Sequence, residues 1–273
     1  MQRRSFIAGC ACALALAACA PAAAEPPFVP TRFTVEVKGE GRDVVLIPGL
    51  TAGPGVWAGT VRSVPGYRYH LIHVGGMAGA PSAGNGSGPV VAPLAEEIGR
   101  YVATLDRPAL IGHSMGGTLA MMVAAAHPER VGRVMVVDML PQPTGLLGSS
   151  NERMRGLADS LRDLSASPGG RRLVESLIGS FATDRNSDPD VVARAMHDLS
   201  TVDLTPQLPR IRNLSVVYAN TDAASAARTE ASYARAYAGA RGAMLLRIDR
   251  SGHMIMYDQP ARLHAAVREF LAR

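Results

Sequence analysis

Residues 109–118 read Ala109-Leu110-Ile111-Gly112-His113-Ser114-Met115-Gly116-Gly117-Thr118, and an apolar run from Leu119 to Ala126 follows. A short unbroken apolar run before the glycines suits a buried strand, and the longer run after them suits a buried helix. The Gly-x-Ser-x-Gly segment between them predicts a very tight strand-to-helix turn that pushes Ser114 outward. Gly112 and Gly116 are required there on steric grounds, because a Cβ at either position would meet the neighbouring strand or helix. Ser114 falls at the start of the helix, where backbone N–H groups point outward and stabilise negative charge.

This stretch resembles the nucleophile elbow of the α/β-hydrolase superfamily. The resemblance covers about residues 40–273. It implies an α/β fold with a mostly parallel, eight-stranded-type sheet, helices on both faces and a helical cap insertion. It names a reaction type but no substrate.

The rest of the chain can be set out from the elbow. Arg32 to Lys38 alternates as an antiparallel edge strand does, and Val44 to Ile47 is an unbroken apolar run typical of a central parallel strand. Further strands are expected at Tyr69 to Val74, Val131 to Val137, Asn213 to Tyr218 and Met244 to Ile248, with helices at Val90 to Leu105 and Ala226 to Tyr237. Residues 141–206 break this alternation and read as three helical stretches, the expected cap. The core is then 33–140 and 207–273. A last helix is expected with Asp258 as its cap and Pro260 in its first turn.

Three side chains of the required chemistry lie at strand ends. A serine hydroxyl is a poor nucleophile near neutrality and needs a histidine base, itself oriented by a carboxylate. His253 follows the last strand in Ser251-Gly252-His253, which resembles the histidine loop of the superfamily. Asp222 follows the first strand after the cap and is the preferred acid; Asp138, directly after the strand that follows the elbow, is the alternative. Pro48-Gly49-Leu50-Thr51 closes the first buried strand, where the superfamily keeps its oxyanion loop. The Leu50 and Met115 N–H groups are the expected oxyanion donors. His113 is read as a packing residue, and His70 and His73, three apart on a strand, as structural. The loop from Gly75 to Gly88 carries no phosphate-binding fingerprint and is read as a mobile rim or a plain connection.

Together these residues imply a serine hydrolase cleaving carboxylic esters of small to medium apolar acyl groups through an acyl-serine intermediate. Acyl transfer, perhydrolysis or C–C bond hydrolysis on the same fold, and a lipid-anchored non-catalytic binding protein, are the alternatives. No metal and no cofactor is expected.

Composition narrows the partners. The chain has 273 residues, enough for one large domain with an insertion. Its formal charge of +5 is carried by dispersed arginines, too weak a signal for nucleic acid. Lys38 is the only lysine, which disfavours Schiff-base chemistry. All three cysteines (Cys10, Cys12 and Cys19) precede residue 20.

Residues 1–24 read as a signal peptide, with Arg3-Arg4 at the start and a short apolar stretch from Phe6 to Ala18. Leu16-Ala17-Ala18-Cys19 resembles a bacterial lipobox, which would make Cys19 the lipidated mature terminus. Cleavage after Ala24 is the rival. Arg3-Arg4-Ser5-Phe6-Ile7 loosely resembles a twin-arginine signal. The expected location is periplasmic or membrane-anchored, with membrane contact only through that lipid. Residues 25–32 are a Pro-rich linker.

Overall fold

In the computed structural model, residues 28–146, 151–181 and 186–273 are described. The expected signal peptide and Cys19 lie outside them. Seven strands form one sheet: β1 Phe33–Lys38, β2 Arg42–Ile47, β3 Tyr67–Val74, β4 Ala109–His113, β5 Arg133–Val137, β6 Leu214–Asn220 and β7 Met244–Asp249. Their order is β1-β3-β2-β4-β5-β6-β7. Only β1 is antiparallel, pairing Phe33 with Val74 through Lys38 with Tyr69. The other five pairings are parallel.

An eight-stranded sheet was expected, and seven strands are present among the described residues. Just ahead of β1, the Thr31 and Arg32 carbonyls accept the Gly84 and Gly75 N–H groups, at 2.9 and 2.8 Å. The Thr31 and Arg32 N–H groups both donate to the buried carboxylate of Glu97, at 2.6 and 2.9 Å.

The helices are α1 Ala58–Ser63, α2 Val91–Val102, α3 Met115–Ala126, α4 Pro143–Leu146, α5 Asn151–Ser165, α6 Pro168–Phe181, α7 Pro189–Leu199, α8 Ala226–Ala236, α9 Ile255–Asp258 and α10 Pro260–Ala272. Both faces of the sheet are buried, which is why the central strands read as continuous apolar runs. Alternate residues serve opposite faces. Val45, Ile47, Leu110, Val134, Val136 and Val216 pack with α2, α3 and Tyr233 of α8. Val44, Leu46, Ile111, Met135, Val137 and Val217 pack with Trp57 and with Leu263, Val267 and Phe270 of α10. Each such side chain, fully buried, contributes about 1.5–3 kcal/mol of transfer free energy.

Between β5 and β6 the chain runs through α4 to α7 and a 3-10 turn at Thr205–Arg210, in the segment expected as a cap. The Gly75–Gly88 loop is closely tied to this segment. Gly79 N–H donates to the Asn186 carbonyl at 2.7 Å, Ala78 N–H to Ser187 Oγ at 3.0 Å, and Ser82 Oγ to Asp188 Oδ2 at 2.5 Å. Within the loop, Met77 and Asn85 are fully buried. Its glycines provide turns at Gly76 and Gly79, both with positive φ.

The last helix departs from the expectation. Gln259 precedes Pro260 at the N-cap position, without a side-chain cap. The Asp258 carboxylate instead accepts the Gly252 N–H at 2.8 Å and so braces the loop that carries His253.

Candidate active site

Ser114 sits at the junction of β4 and α3 with φ 54° and ψ −123°. This positive φ is strained for a residue with a side chain, and such strain persists only where the surroundings enforce it. Here the enforcement is steric and bonded. A Cβ on Gly112 would overlap the Gly116 carbonyl, and a Cβ on Gly116 would overlap the Ile47 carbonyl at the end of β2. Ser114 N–H donates to the Val137 carbonyl at 3.0 Å, and its own carbonyl accepts Gly117 N–H at 2.8 Å. The elbow expected from Gly112 and Gly116 is therefore present, with the steric cause expected.

The loop after β2 lies against this elbow. A Cβ on Gly49 would come within 3.0 Å of both Ser114 Cβ and His113 Nδ1. That closeness brings the Pro48-Gly49-Leu50 backbone beside the serine. Met115 begins α3 and is fully buried. Leu50 and Met115, the two expected oxyanion donors, thus belong to the two backbone segments that converge on Ser114.

His253 reaches the site from beyond β7. Its loop is held by Ser251 N–H donating to the Asn220 carbonyl at 3.2 Å and by the Asp258 brace. The left-handed residue of this turn is Arg250, φ 59°; Gly252 is instead in contact with the Asp258 carboxylate. His253 stands beside the residue preceding the serine. Its ring centroid is 4.6 Å from that of His113, and His113 Nε2 donates to the His253 carbonyl at 3.0 Å.

His113 is fully enclosed. Burial, followed by the neighbouring His253, lowers its pKa to about 4, so the ring is neutral near pH 7. With Nε2 as donor, Nδ1 carries the lone pair, and it finds no hydrogen-bond partner among the described residues. The side chain points into the interior, as expected for a packing residue, but it also ties the elbow to the His253 loop.

The carboxylate that meets His253 is Asp138, the alternative, and not Asp222, the preferred candidate. His253 Nδ1 donates to Asp138 Oδ2 at 2.7 Å. Asp138 follows β5, is 4% exposed and has φ 51°. Its Oδ1 accepts from Ala219 N–H at 2.9 Å and from the Tyr233 hydroxyl at 3.0 Å. Asp222 is elsewhere: its exposed carboxylate accepts Ser225 N–H at 2.9 Å and the Thr221 hydroxyl at 3.1 Å, closing a turn before α8. Those bonds hold its pKa below the ordinary carboxylate value. In the sheet order β5 lies next to β4, whereas β6 is one strand further out. Asp138 therefore ends the strand adjacent to the elbow strand. Tyr233, eleven positions after Asp222 in the sequence, carried no signal that linked it to the site.

His70 and His73 are structural. His70 Nε2 donates to Asp43 Oδ1 at 2.8 Å while Nδ1 accepts the Tyr101 hydroxyl at 2.6 Å; His73 Nε2 donates to the Met77 carbonyl at 3.0 Å. Among the described residues no cluster of three or more His, Cys, Asp or Glu side chains is arranged to hold a metal ion.

Fold and site together define a class: a mostly parallel-sheet protein presenting a strained serine after β4, a buried carboxylate after β5 and a histidine after β7. Its sequence matches the Alpha/beta hydrolase family over residues 44–266, and the chain belongs to that family. It is similar to the pimeloyl-(acyl-carrier protein) methyl ester esterase of Aeromonas hydrophila, with 34% identity over 109 residues. That match covers 40% of this chain and 42% of that protein. It is also similar to the enzyme of the same name from Vibrio atlanticus, with 25% identity over 196 residues, 64% of this chain and 74% of that one. Among solved structures it resembles the enol-lactonase of Burkholderia xenovorans (TM-score 0.68, 19% identity, 89% of this chain and 97% of that one). It equally resembles a thermophilic esterase of Thermogutta terrifontis (TM-score 0.68, 21% identity, 88% and 93%).

Proposed function

We propose that the protein is a serine hydrolase that cleaves carboxylic esters of small to medium apolar acyl groups, with Ser114 as nucleophile, His253 as base and Asp138 as the orienting acid. The observation that carries this reading is the 2.7 Å bond from His253 Nδ1 to Asp138, made by a histidine packed beside the elbow. It fixes Nδ1 as the protonated nitrogen and leaves Nε2 free to accept a proton. The similarity to proteins named as methyl ester esterases supports an ester as substrate.

In the reaction, Ser114 Oγ attacks the ester carbonyl carbon as His253 Nε2 takes the hydroxyl proton. The carbonyl oxygen becomes an anion held by the Leu50 and Met115 N–H groups; one such donor typically contributes about 3 kcal/mol. Asp138 stabilises the imidazolium without accepting its proton. His253 then protonates the departing alkoxide, leaving an acyl-serine. Water enters, gives a proton to His253 and attacks the acyl carbon, and the proton returns to Ser114 as the acid leaves. A panel of p-nitrophenyl esters of increasing acyl length tests this. Wild type should turn over the shorter chains, and Ser114→Ala should lose the activity at every length.

We also propose that the chain is exported and anchored by a lipid at Cys19, from the Arg3-Arg4 start, the apolar stretch and Leu16-Ala17-Ala18-Cys19. Mass spectrometry of the N-terminal peptide from the native host tests it. Diacylated Cys19 is the expected product, and a mature terminus at Glu25 would replace the anchor with simple secretion.

A further inference from the structure

We propose that Tyr233 is a positioning residue that fixes the Asp138 carboxylate in the orientation from which Oδ2 meets His253. This rests on the Ser114–His253–Asp138 reading above. Tyr233 lies on α8, outside every motif that marks the site. Its hydroxyl donates to Asp138 Oδ1 at 3.0 Å, beside the Ala219 N–H at 2.9 Å. Two donors thus occupy the far oxygen, and the near one is left to His253 Nδ1 at 2.7 Å. The terminal torsion of an aspartate is soft, so a carboxylate without such donors is not held in one plane.

The tyrosine is itself fixed by packing. Its ring stacks on Tyr218 with centroids 4.2 Å apart and planes 15° from parallel, and lies parallel to Tyr237 at 6.4 Å. The hydroxyl position is therefore set by the stack and not by the bond it makes. Burial, and then the Asp138 charge, raise its pKa well above the ordinary phenol value, so it remains a donor throughout the working range. The titratable groups that face Asp138 are His253, Tyr233, Tyr237 and His113. Of these, Tyr237 directs its hydroxyl to the Met139 carbonyl at 2.7 Å, leaving the carboxylate to its neighbours.

Removing the Tyr233 hydroxyl leaves Oδ1 with one donor in a buried setting. The carboxylate charge is then less dispersed and attracts the His253 proton more strongly, so the imidazolium is favoured. The decisive experiment is the pH profile of kcat/KM for Tyr233→Phe, with Tyr237→Phe and Asp138→Asn beside it. Tyr233→Phe should lower kcat about ten-fold, leave KM nearly unchanged and move the acid limb of the profile upward. Tyr237→Phe matches it in ring packing and should leave the acid limb in place. A Tyr233→Phe profile that overlays wild type, or the same shift in both tyrosine variants, would reduce Tyr233 to a packing residue. Full activity in Asp138→Asn would instead remove the underlying acid assignment, so the two failures are distinguishable.

Discussion

Asp138 and His253 are 115 positions apart in the chain and are joined by a 2.7 Å bond from Nδ1 to Oδ2. One end of the bond is nearly inaccessible, with the carboxylate side chain 5% exposed, and the other is open, with the imidazole side chain 41% exposed. The buried partner is fixed from behind and the exposed partner can meet solvent and ligand, the division of labour the proposed orienting acid and base require.

The first prediction separates the two aspartates. Asp138→Asn should lower kcat/KM by about three to four orders of magnitude, because an amide can present its N–H to the imidazole and favour the wrong tautomer. Asp222→Asn should stay within a few-fold of wild type. Its carboxylate closes an exposed turn away from His253, so its loss should leave the melting temperature nearly unchanged. Steady-state kinetics on both variants decide it. Equal losses in the two would contradict the assignment.

The elbow glycines give a second prediction. Gly112→Ala and Gly116→Ala each place a methyl group onto a backbone carbonyl with no flexible neighbour to yield. Both variants should be strongly destabilised, by about 3 kcal/mol or more, and recovered mainly as insoluble protein. For Gly49→Ala the nearest atoms to the new methyl are the Ser114 Cβ and the His113 ring, at 3.0 Å, a contact small shifts can relieve. This variant should fold, with a larger loss in kcat than in thermal stability. Thermal melts of the three variants test the ranking.

His113 supplies the pH dependence of stability. Its folded pKa of about 4 lies below the unfolded value near 6.5. Above pH 6.5 both states are neutral and the ring adds no pH dependence. As pH falls from 6.5 toward 4, the unfolded chain binds a proton that the folded one refuses, and stability drops by roughly 3 kcal/mol in total. His113→Gln does not titrate and keeps a donor for the His253 carbonyl. Denaturant unfolding at pH 7 and pH 5 should show a clear loss for wild type and a smaller one for the variant.

The entry of the chain into the sheet rests on Glu97. Its carboxylate accepts two backbone N–H groups and the Thr31 hydroxyl, in a residue 2% exposed. Glu97→Ala should lower stability by about 2–3 kcal/mol through the stranded donors. It should also accelerate amide exchange in β1 more than in β4 or β5. Hydrogen exchange that rises uniformly across the sheet would show that Glu97 does not act locally.

How far the sequence carries can be seen residue by residue. The elbow is legible because its demand is local: two glycines, a serine and two apolar runs leave few other folds for residues 109–126. The central strands are legible because both faces of each are buried and the whole run is apolar. The choice between Asp138 and Asp222 is not local. Both follow a buried strand, and they differ in whether that strand lies beside the elbow strand, a property of the pairing order. Asp258 departs from its expected role as a helix cap for a similar reason. Its position before Pro260 suits a helix cap, yet its carboxylate turns back to Gly252, a bond that exists only because of the tertiary path of the His253 loop. Tyr233 was invisible, since a tyrosine on an amphipathic helix is ordinary until the residue opposite it is known.

The central claim is that Ser114 is made nucleophilic by the His253–Asp138 pair. Its most direct measurement is peptide mass spectrometry after brief exposure of the folded protein to a fluorophosphonate. The account predicts a single phosphonylated residue, Ser114, with labelling abolished in urea and strongly slowed in His253→Ala. Folded wild-type protein left unlabelled at Ser114, together with undiminished ester turnover by Ser114→Ala, would contradict it.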